Sequence, residues 1–137
     1  MRWFCEIPMD GNVSPSILAD KGVVYAFGGY RTQGSVAVRA GGEDDVTKSH
    51  LVWKTRTSSY VPSPVLSEGH LYWMDERGTA FCVEAKTGKV LYEKEIVSRS
   101  RDRPVYASPV LVNGRIYCVT RKRGTYVFAA STEFKQL

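Results

Sequence analysis

Short apolar runs separated by turn residues recur three times along this chain of 137 residues. The runs alternate apolar with polar positions, or cluster β-branched and aromatic residues, which is typical of β-strands. The clearest stretch, Ser63–Glu95, reads SPVLSEGHLYWMDERGTAFCVEAKTGKVLYEKE and holds four such runs. Similar stretches begin at Ser14 and Ser108. The pattern predicts an all-β fold built from a repeated unit of four antiparallel strands.

The repeats keep a nearly constant spacing. A proline, a tyrosine and a glycine recur at intervals of 44 to 49 residues: Pro15, Pro64 and Pro109; Tyr25, Tyr72 and Tyr117; Gly34, Gly78 and Gly124. A four-stranded unit of about 40 to 50 residues in series is the sequence signature of a β-propeller, in which each unit is one blade. Because a single blade cannot bury both of its faces, neighbouring blades are expected to stack face to face.

The repeats divide the chain into blades over residues 14–57, 58–103 and 104–137, preceded by residues 1–13. We expect this N-terminal segment, with its strand RWFCEI, to be the outer strand of a preceding or closing blade. The third blade lacks its own outer strand. Because known propellers need at least about four blades to close, we expect a partial propeller or half of a ring closed by dimerisation. The partial propeller would be a fragment of a larger protein. In the ring, two chains lie head to tail and each N-terminal strand completes the partner's third blade.

Composition indicates the class of protein but leaves its compartment open. A hydrophobic fraction of 43% with 12% aromatic residues indicates a folded domain rather than a disordered tail. No apolar run approaches the roughly 18 residues of a membrane span. The first residues, MRWFCEIPMDG, lack the basic and apolar regions of an export signal. A cytoplasmic protein and a piece of a longer periplasmic or exported protein both fit.

Charge and cysteines suggest no specific chemistry. The formal net charge of +5 comes largely from Ser98–Arg103 and Arg121–Arg123. We interpret both as solvated loops, with a patch for nucleic acid or an acidic partner as the alternative; no nucleic-acid-binding motif accompanies them. Cys5, Cys82 and Cys118 are odd in number and form no CxxC pair, so we predict small buried apolar residues rather than a disulfide or metal site.

The middle repeat carries a family resemblance. Its segment Thr79–Tyr92, which includes AKTGKVLY, resembles the repeat of PQQ-like β-propellers, whose blades end in a docking motif written AxDxxTGxxxW. The resemblance places the motif on Cys82, Glu84, Thr87, Gly88 and Tyr92. It implies that the aromatic ring stacks on a peptide bond of the adjacent blade and that the Thr-Gly turn positions it. In the first repeat, Trp53 holds the aromatic position. The run AVRAGGEDDVTKSHLVWK is similar to the planctomycete-type group of PQQ-like repeat proteins.

The resemblance also implies where chemistry would be found. Quinoprotein dehydrogenases of this superfamily bind PQQ and calcium with an adjacent cysteine pair, a catalytic Asp, and Glu and Asn ligands. This sequence has no adjacent cysteines and no matching set, so we predict no catalytic residue, cofactor or metal. We expect a noncatalytic scaffold that binds a protein partner or itself. The alternative is a fragment or remnant of a quinoprotein-type oxidoreductase that binds PQQ or another small ligand.

Three further candidates have structural explanations. Gly42–Asp45 clusters three carboxylates that would suit Ca²⁺, but the spacing is not that of an EF-hand, so we interpret it as a solvated loop tip. His50 and His70 have no nucleophile or acid at a telling spacing and are expected to have structural or surface roles. Asp75–Gly78 is expected to be an ordinary hairpin turn with its charges in water.

Overall fold

The computed structural model describes residues 2–97 and 103–137. Within these ranges the chain forms thirteen β-strands: β1 Trp3–Phe4, β2 Leu18–Asp20, β3 Val23–Gly28, β4 Gly34–Arg39, β5 Asp44–Asp45, β6 Leu51–Thr55, β7 Val65–Ser67, β8 His70–Met74, β9 Thr79–Glu84, β10 Val90–Glu95, β11 Val110–Val112, β12 Arg115–Val119 and β13 Thr125–Ala129. The same ranges contain no helix that could cross a bilayer.

The strands form three successive antiparallel sheets. The first sheet has the order β2-β3-β4-β6, the second β7-β8-β9-β10 and the third β11-β12-β13. The predicted fold class, an all-β arrangement of four-stranded propeller blades, is confirmed. Residues 135–137 begin a fourth pairing in the third sheet, since Leu137 N donates to Val127 O and Ala129 N donates to Lys135 O, both at 2.9 Å.

The first two strands of every sheet are joined by the same tight turn. The turns are Lys21–Gly22, Glu68–Gly69 and Asn113–Gly114, and both residues of each have positive φ, between 47° and 77°. Two consecutive left-handed residues are the geometry of a type I′ hairpin, whose twist matches that of the flanking strands. The repeated turn places the start of each sheet in the same orientation.

The second sheet is buried on both faces, because its side chains alternate along β8 and β9. Leu71 and Trp73 pack against the first sheet, whereas Tyr72 and Met74 pack against the third. Trp73 is fully buried and meets Phe27 of the first sheet edge to face, with ring centroids 5.3 Å apart. The face-to-face stacking predicted from the repeat therefore fills two apolar cores.

The N-terminal segment covers the outer face of the first sheet. β1 pairs in parallel with β5, and the core on this face consists of three buried valines covered by alternate residues of the segment: Val36, Val38 and Val46, with Trp3, Cys5, Ile7 and Met9. The segment thus lies on a blade of its own chain. Its expected part in a preceding or closing blade stays a prediction.

The strand register corrects one landmark of the repeat. Leu18 and Val65 are equivalent, because each pairs with the recurring tyrosine of the next strand, Tyr25 or Tyr72. Pro64 directly precedes Val65, whereas Pro15 lies three residues before Leu18. Pro15 and Pro64 are therefore not equivalent positions. The tyrosines mark the true spacing of the first two repeats.

Candidate functional site

A ring of the first sheet rests on a turn of the second. Trp53, in β6, is buried, and its Nε1 donates to Ala85 O at 2.8 Å. A Cβ built on Gly88 would lie 2.8 Å from Cδ2 of the Trp53 indole, so the ring lies directly against this glycine. The contact joins the predicted aromatic position of one repeat to the predicted Thr-Gly turn of the next.

The turn between β9 and β10 is held in shape by its own hydrogen bonds. Gly88 N donates to Glu84 O at 2.9 Å, and Glu84 N donates to Lys89 O at 2.9 Å. The Thr87 hydroxyl donates to the Glu84 carboxylate and accepts from Lys89 N at 3.2 Å. Gly88 adopts φ of +74°, a conformation that favours glycine. Glu84 and Thr87 therefore fix the turn that presents Gly88 to the indole.

Cys82 and Tyr92 lie on the opposite face of the second sheet. They pair across β9 and β10, and both pack in the core shared with the third sheet. Burial raises the pKa of the Cys82 thiol to about 11. Tyr92 meets Phe134 edge to face with ring centroids 5.5 Å apart, and its hydroxyl is buried without a hydrogen-bond partner in the described chain. Trp53 and Gly88 thus meet between the first and second sheets, whereas Cys82 and Tyr92 lie between the second and third.

A line of serines that the sequence pattern did not identify links the sheets. Ser63 Oγ accepts from Ser16 N at 2.8 Å, and Ser108 Oγ accepts from Ser63 N at 2.9 Å. These serines are 47 and 45 residues apart, the same spacing as the tyrosines of the repeats. The tyrosine spacing was the signal that could have identified them, and the off-register Pro15 concealed it.

The turn Asp75–Gly78 is not an ordinary solvated hairpin, because Glu76 is 1% exposed. Glu76 Oε1 accepts from Gln33 Nε2 at 3.1 Å, and Oε2 accepts from Tyr60 N at 3.3 Å. Arg77 Nε lies 3.8 Å from Oε1. The buried carboxylate therefore ties the second sheet to the β3–β4 loop and to the β6–β7 linker. A charged residue in a turn normally faces water, so nothing in the sequence indicated this burial.

Tyrosines and arginines cluster at the same end of the sheets. Arg103 Cζ lies 5.3 Å from the ring centroid of Tyr30 and 5.1 Å from that of Tyr60, and the two rings are 5.2 Å apart. Arg121 Cζ lies 5.5 Å from the Tyr106 ring. We call Tyr30, Tyr60, Arg103, Tyr106 and Arg121 the tyrosine–arginine surface. Most of the other predicted basic run, 98–102, lies outside the described residues, whereas residues 121–123 are exposed.

The residues present do not fit a quinoprotein site. Cys5, Cys82 and Cys118 are free thiols in separate strands or segments. Across the described ranges, no three His, Cys, Asp or Glu side chains lie close enough to hold a metal ion.

The other candidates have local hydrogen bonds. In the predicted acidic loop, Asp45 Oδ1 accepts from Thr47 N at 2.9 Å, and hydrogen bonds from Thr47 lower the pKa of that carboxyl. His50 Nδ1 lies 2.8 Å from Ser49 Oγ, and the His70 ring packs at a centroid distance of 6.2 Å from Tyr72. Each of these contacts is one that a structural or surface residue makes.

Solved structures share this fold at low sequence identity. Quinohemoprotein alcohol dehydrogenase ADHIIG from Pseudomonas putida HK5 matches with a TM-score of 0.77 and 19% identity, over 98% of this chain and 21% of its own. A europium-containing methanol dehydrogenase gives 0.62 and 14%, over 88% and 24%. BamB from Moraxella catarrhalis gives 0.49 and 12%, over 90% and 48%. The chain thus spans less than half of each of these proteins.

Sequence comparison identifies the family to which the chain belongs. A search of curated proteins found no match. A family model of PQQ-like repeats, described as outer membrane protein assembly factor BamB, matches residues 9–94 and 45–133. The resemblance to the planctomycete-type group within the superfamily stays a prediction. Because the two matches together cover most of the sequence, the chain belongs to the family of PQQ-like β-propeller repeat proteins.

Proposed function

We propose that this chain is a noncatalytic β-propeller repeat module that acts as a protein-interaction scaffold. The observation that carries the proposal is the outer face of the third sheet. Val110, Val112 and Val119 lie on it and are 58%, 47% and 51% exposed, whereas Ile116 and Phe128 on the opposite face are fully buried. An exposed row of valines on a sheet with one packed face marks a surface that another protein covers.

The two ends of the stack differ, which indicates what the partner is. The first sheet's outer face is covered by the segment 3–9, whereas the third sheet's is open. Both interfaces between sheets in this chain join units of the same repeat. We propose that a further sheet of this type, supplied by a second copy of the chain, covers the open face.

Contact between two third sheets is the form of self-association that needs the least rearrangement. The head-to-tail ring expected from the sequence requires Trp3–Met9 to leave the valines of its own first sheet. It also requires a free edge on β13, where Val127 and Ala129 already bond to residues 135–137. A symmetric pair of third sheets requires neither change.

Light scattering after size-exclusion chromatography tests the self-association. We expect a concentration-dependent species of about twice the 15.3 kDa of one chain. Val119→Lys should abolish it, because a charge would be buried at the contact. Val52→Lys is the matched control, since Val52 is 42% exposed on the first sheet. A stable monomer at all concentrations, or equal effects of both variants, would contradict the proposal.

We further propose that the six residues of the predicted docking motif hold neighbouring blades in register. The burial of Trp53 and its contacts with Ala85 and Gly88 support this role at the first interface. The packing of Tyr92 on Phe134 supports it at the second. Glu84 and Thr87 act indirectly, by fixing the turn that carries Gly88.

Ligand binding distinguishes the scaffold from the alternative, a remnant of a quinoprotein-type oxidoreductase. A ligand that binds only the folded state raises the melting temperature. PQQ added with Ca²⁺ should leave the melting temperature of a scaffold unchanged. A saturable rise would favour the oxidoreductase alternative.

A further inference from the structure

The tyrosine–arginine surface lies at one end of the stacked sheets. Because the strands are antiparallel, the loops after the second strand of each sheet and the linkers between sheets all emerge at this end. Tyr30 comes from the β3–β4 loop, Tyr60 from the β6–β7 linker, Arg103 and Tyr106 from the β10–β11 linker, and Arg121 from the β12–β13 turn. Four segments that are distant in sequence therefore build one surface.

Buried contacts fix these segments beneath the surface. The Glu76 carboxylate accepts from the Tyr60 backbone N–H at 3.3 Å, and the Glu76 carbonyl accepts from Val105 N at 3.5 Å. Arg121 N donates to Pro104 O at 2.8 Å. Pro104 and Val105 are themselves buried. The surface is thus preorganised, which reduces the entropy lost on binding.

Among the described residues, the charge of this surface is positive. Neither Arg103 nor Arg121 forms a salt bridge with a carboxylate of the described chain. Glu76 lies below the surface and is hydrogen-bonded to Gln33 and to the Tyr60 amide. Tyr30 is 54% exposed and Tyr106 is 44% exposed, so aromatic area flanks the guanidinium groups. Exposed tyrosines beside arginines are the composition enriched in protein-binding hot spots.

We propose that the tyrosine–arginine surface binds an acidic segment of a partner protein. Carboxylates of the segment accept hydrogen bonds from Arg103 and Arg121, and the tyrosine rings contact its apolar groups. The proposal extends the scaffold function to a surface separate from the outer face of the third sheet. A polypeptide is favoured over nucleic acid because bases stack on open ring faces, whereas here guanidinium groups already lie over the rings.

Fluorescence anisotropy with a labelled peptide tests the proposal. The probe is a fluorescein-labelled peptide of glutamate, aspartate and leucine, and its counterpart replaces every acid by the corresponding amide. We expect saturable binding of the acidic peptide alone. Arg103→Gln and Arg121→Gln should each weaken it about tenfold, the scale of one lost charge-assisted contact. Arg115→Gln is the matched control, because Arg115 is exposed, as Arg121 is, but lies beside the Asn113–Gly114 turn at the opposite end.

Each result decides for or against this surface. No binding of the acidic peptide would overturn the proposal, and so would an equal loss in Arg115→Gln, which would show a general charge effect. Tighter binding of single-stranded oligothymidine that depends on Arg103 and Arg121 would overturn it in favour of nucleic acid. Circular dichroism melts of the variants exclude unfolding as the cause. The self-association that light scattering of Val119→Lys tests does not involve these arginines. The two proposals can therefore fail independently of each other.

Discussion

The Trp53 indole lies against Gly88, and this contact joins the first sheet to the second. No side chain fits between them, because a Cβ on Gly88 would lie 2.8 Å from Cδ2 of the ring. The indole N–H is satisfied at the same time by Ala85 O at 2.8 Å. The ring and the turn therefore form one interlocked unit in which burial and hydrogen bonding act together.

Gly88→Ala should consequently destabilise the fold more than an equivalent change in another turn. Gly69→Ala is the matched control, since Gly69 has φ of +77° and a Cβ there meets nothing within 4 Å. Left-handed strain alone costs about 1–2 kcal/mol in each variant. Displacement of the Trp53 ring should add about 1–3 kcal/mol in Gly88→Ala only.

Chemical denaturation followed by tryptophan fluorescence measures the difference. Equal losses of stability in Gly88→Ala and Gly69→Ala would mean that the ring does not bear on the turn in solution. That result would also contradict the proposed docking role of Trp53.

Tyr92→Phe should stabilise the protein. The Tyr92 hydroxyl is buried without a hydrogen-bond partner among the described residues, whereas the equivalent Trp53 donates to a backbone carbonyl. Removing an unsatisfied buried hydroxyl should raise the free energy of unfolding by about 1 kcal/mol. Tyr106→Phe is the control, because Tyr106 is 44% exposed and its change should be within about 0.5 kcal/mol of zero.

Tyr92→Ala should have the opposite effect, since it removes the ring that packs on Phe134. We expect a loss of about 2–4 kcal/mol, larger than that of His70→Ala, whose half-buried side chain lies at the start of β8. Thermal melts compare Tyr92→Ala with His70→Ala. A silent Tyr92→Ala would show that the docking motif is misaligned on this repeat.

Most of the fold could be predicted from the sequence because strand periodicity and turn chemistry are local. The residues of Leu71–Met74 predict a strand, and those of Glu68–Gly69 predict a tight turn. The recurrence of both along the chain predicts the blade. The placement of Trp3–Met9 could not be predicted, because an alternating segment fits any apolar sheet face of suitable width. Which face it covers depends on Val36 and Val38, which are distant in sequence.

The candidate sites were predicted less completely. The Trp53–Gly88 contact follows from the repeat, since the positions of both residues come from one motif. Glu76 could not be found in this way, because its burial depends on Gln33 and on the Tyr60 amide, which belong to other loops. The same holds for Arg103, whose tyrosine neighbours come from two different connections.

The three cysteines should differ sharply in reactivity. Cys82 and Cys118 are fully buried, and burial raises the pKa of these thiols to about 11 and about 12. Cys5 is only half-buried. Because the thiolate is the reactive form, iodoacetamide at mildly alkaline pH should modify Cys5 first. Mass spectrometry should find one adduct in the native protein and three in denaturant. Rapid native labelling of Cys82 would show that the second and third sheets separate in solution.

Asp75→Asn should stabilise the protein at neutral pH. Burial is the main cause that raises the pKa of Asp75 to about 6; the Glu76 charge adds to this shift, and hydrogen bonds from the Thr79 and Arg77 backbone N–H groups oppose it. Because the native state binds this proton more tightly than the unfolded chain, the stabilisation is present below about pH 4 and is lost as the pH rises through about 6. Asparagine keeps the carbonyl oxygen that accepts from both N–H groups and carries no charge.

Urea denaturation between pH 4 and 8 tests this prediction. Asp75→Asn should gain about 1–3 kcal/mol over the wild type at pH 7.5, and the two proteins should converge near pH 4. Glu93→Gln, a change at an exposed residue of β10, should follow the wild-type pH profile throughout. If Asp75→Asn instead lost stability equally at all pH values, the Asp75 carboxylate would be a favourable acceptor in its ionised form, and the burial penalty inferred for it would be wrong.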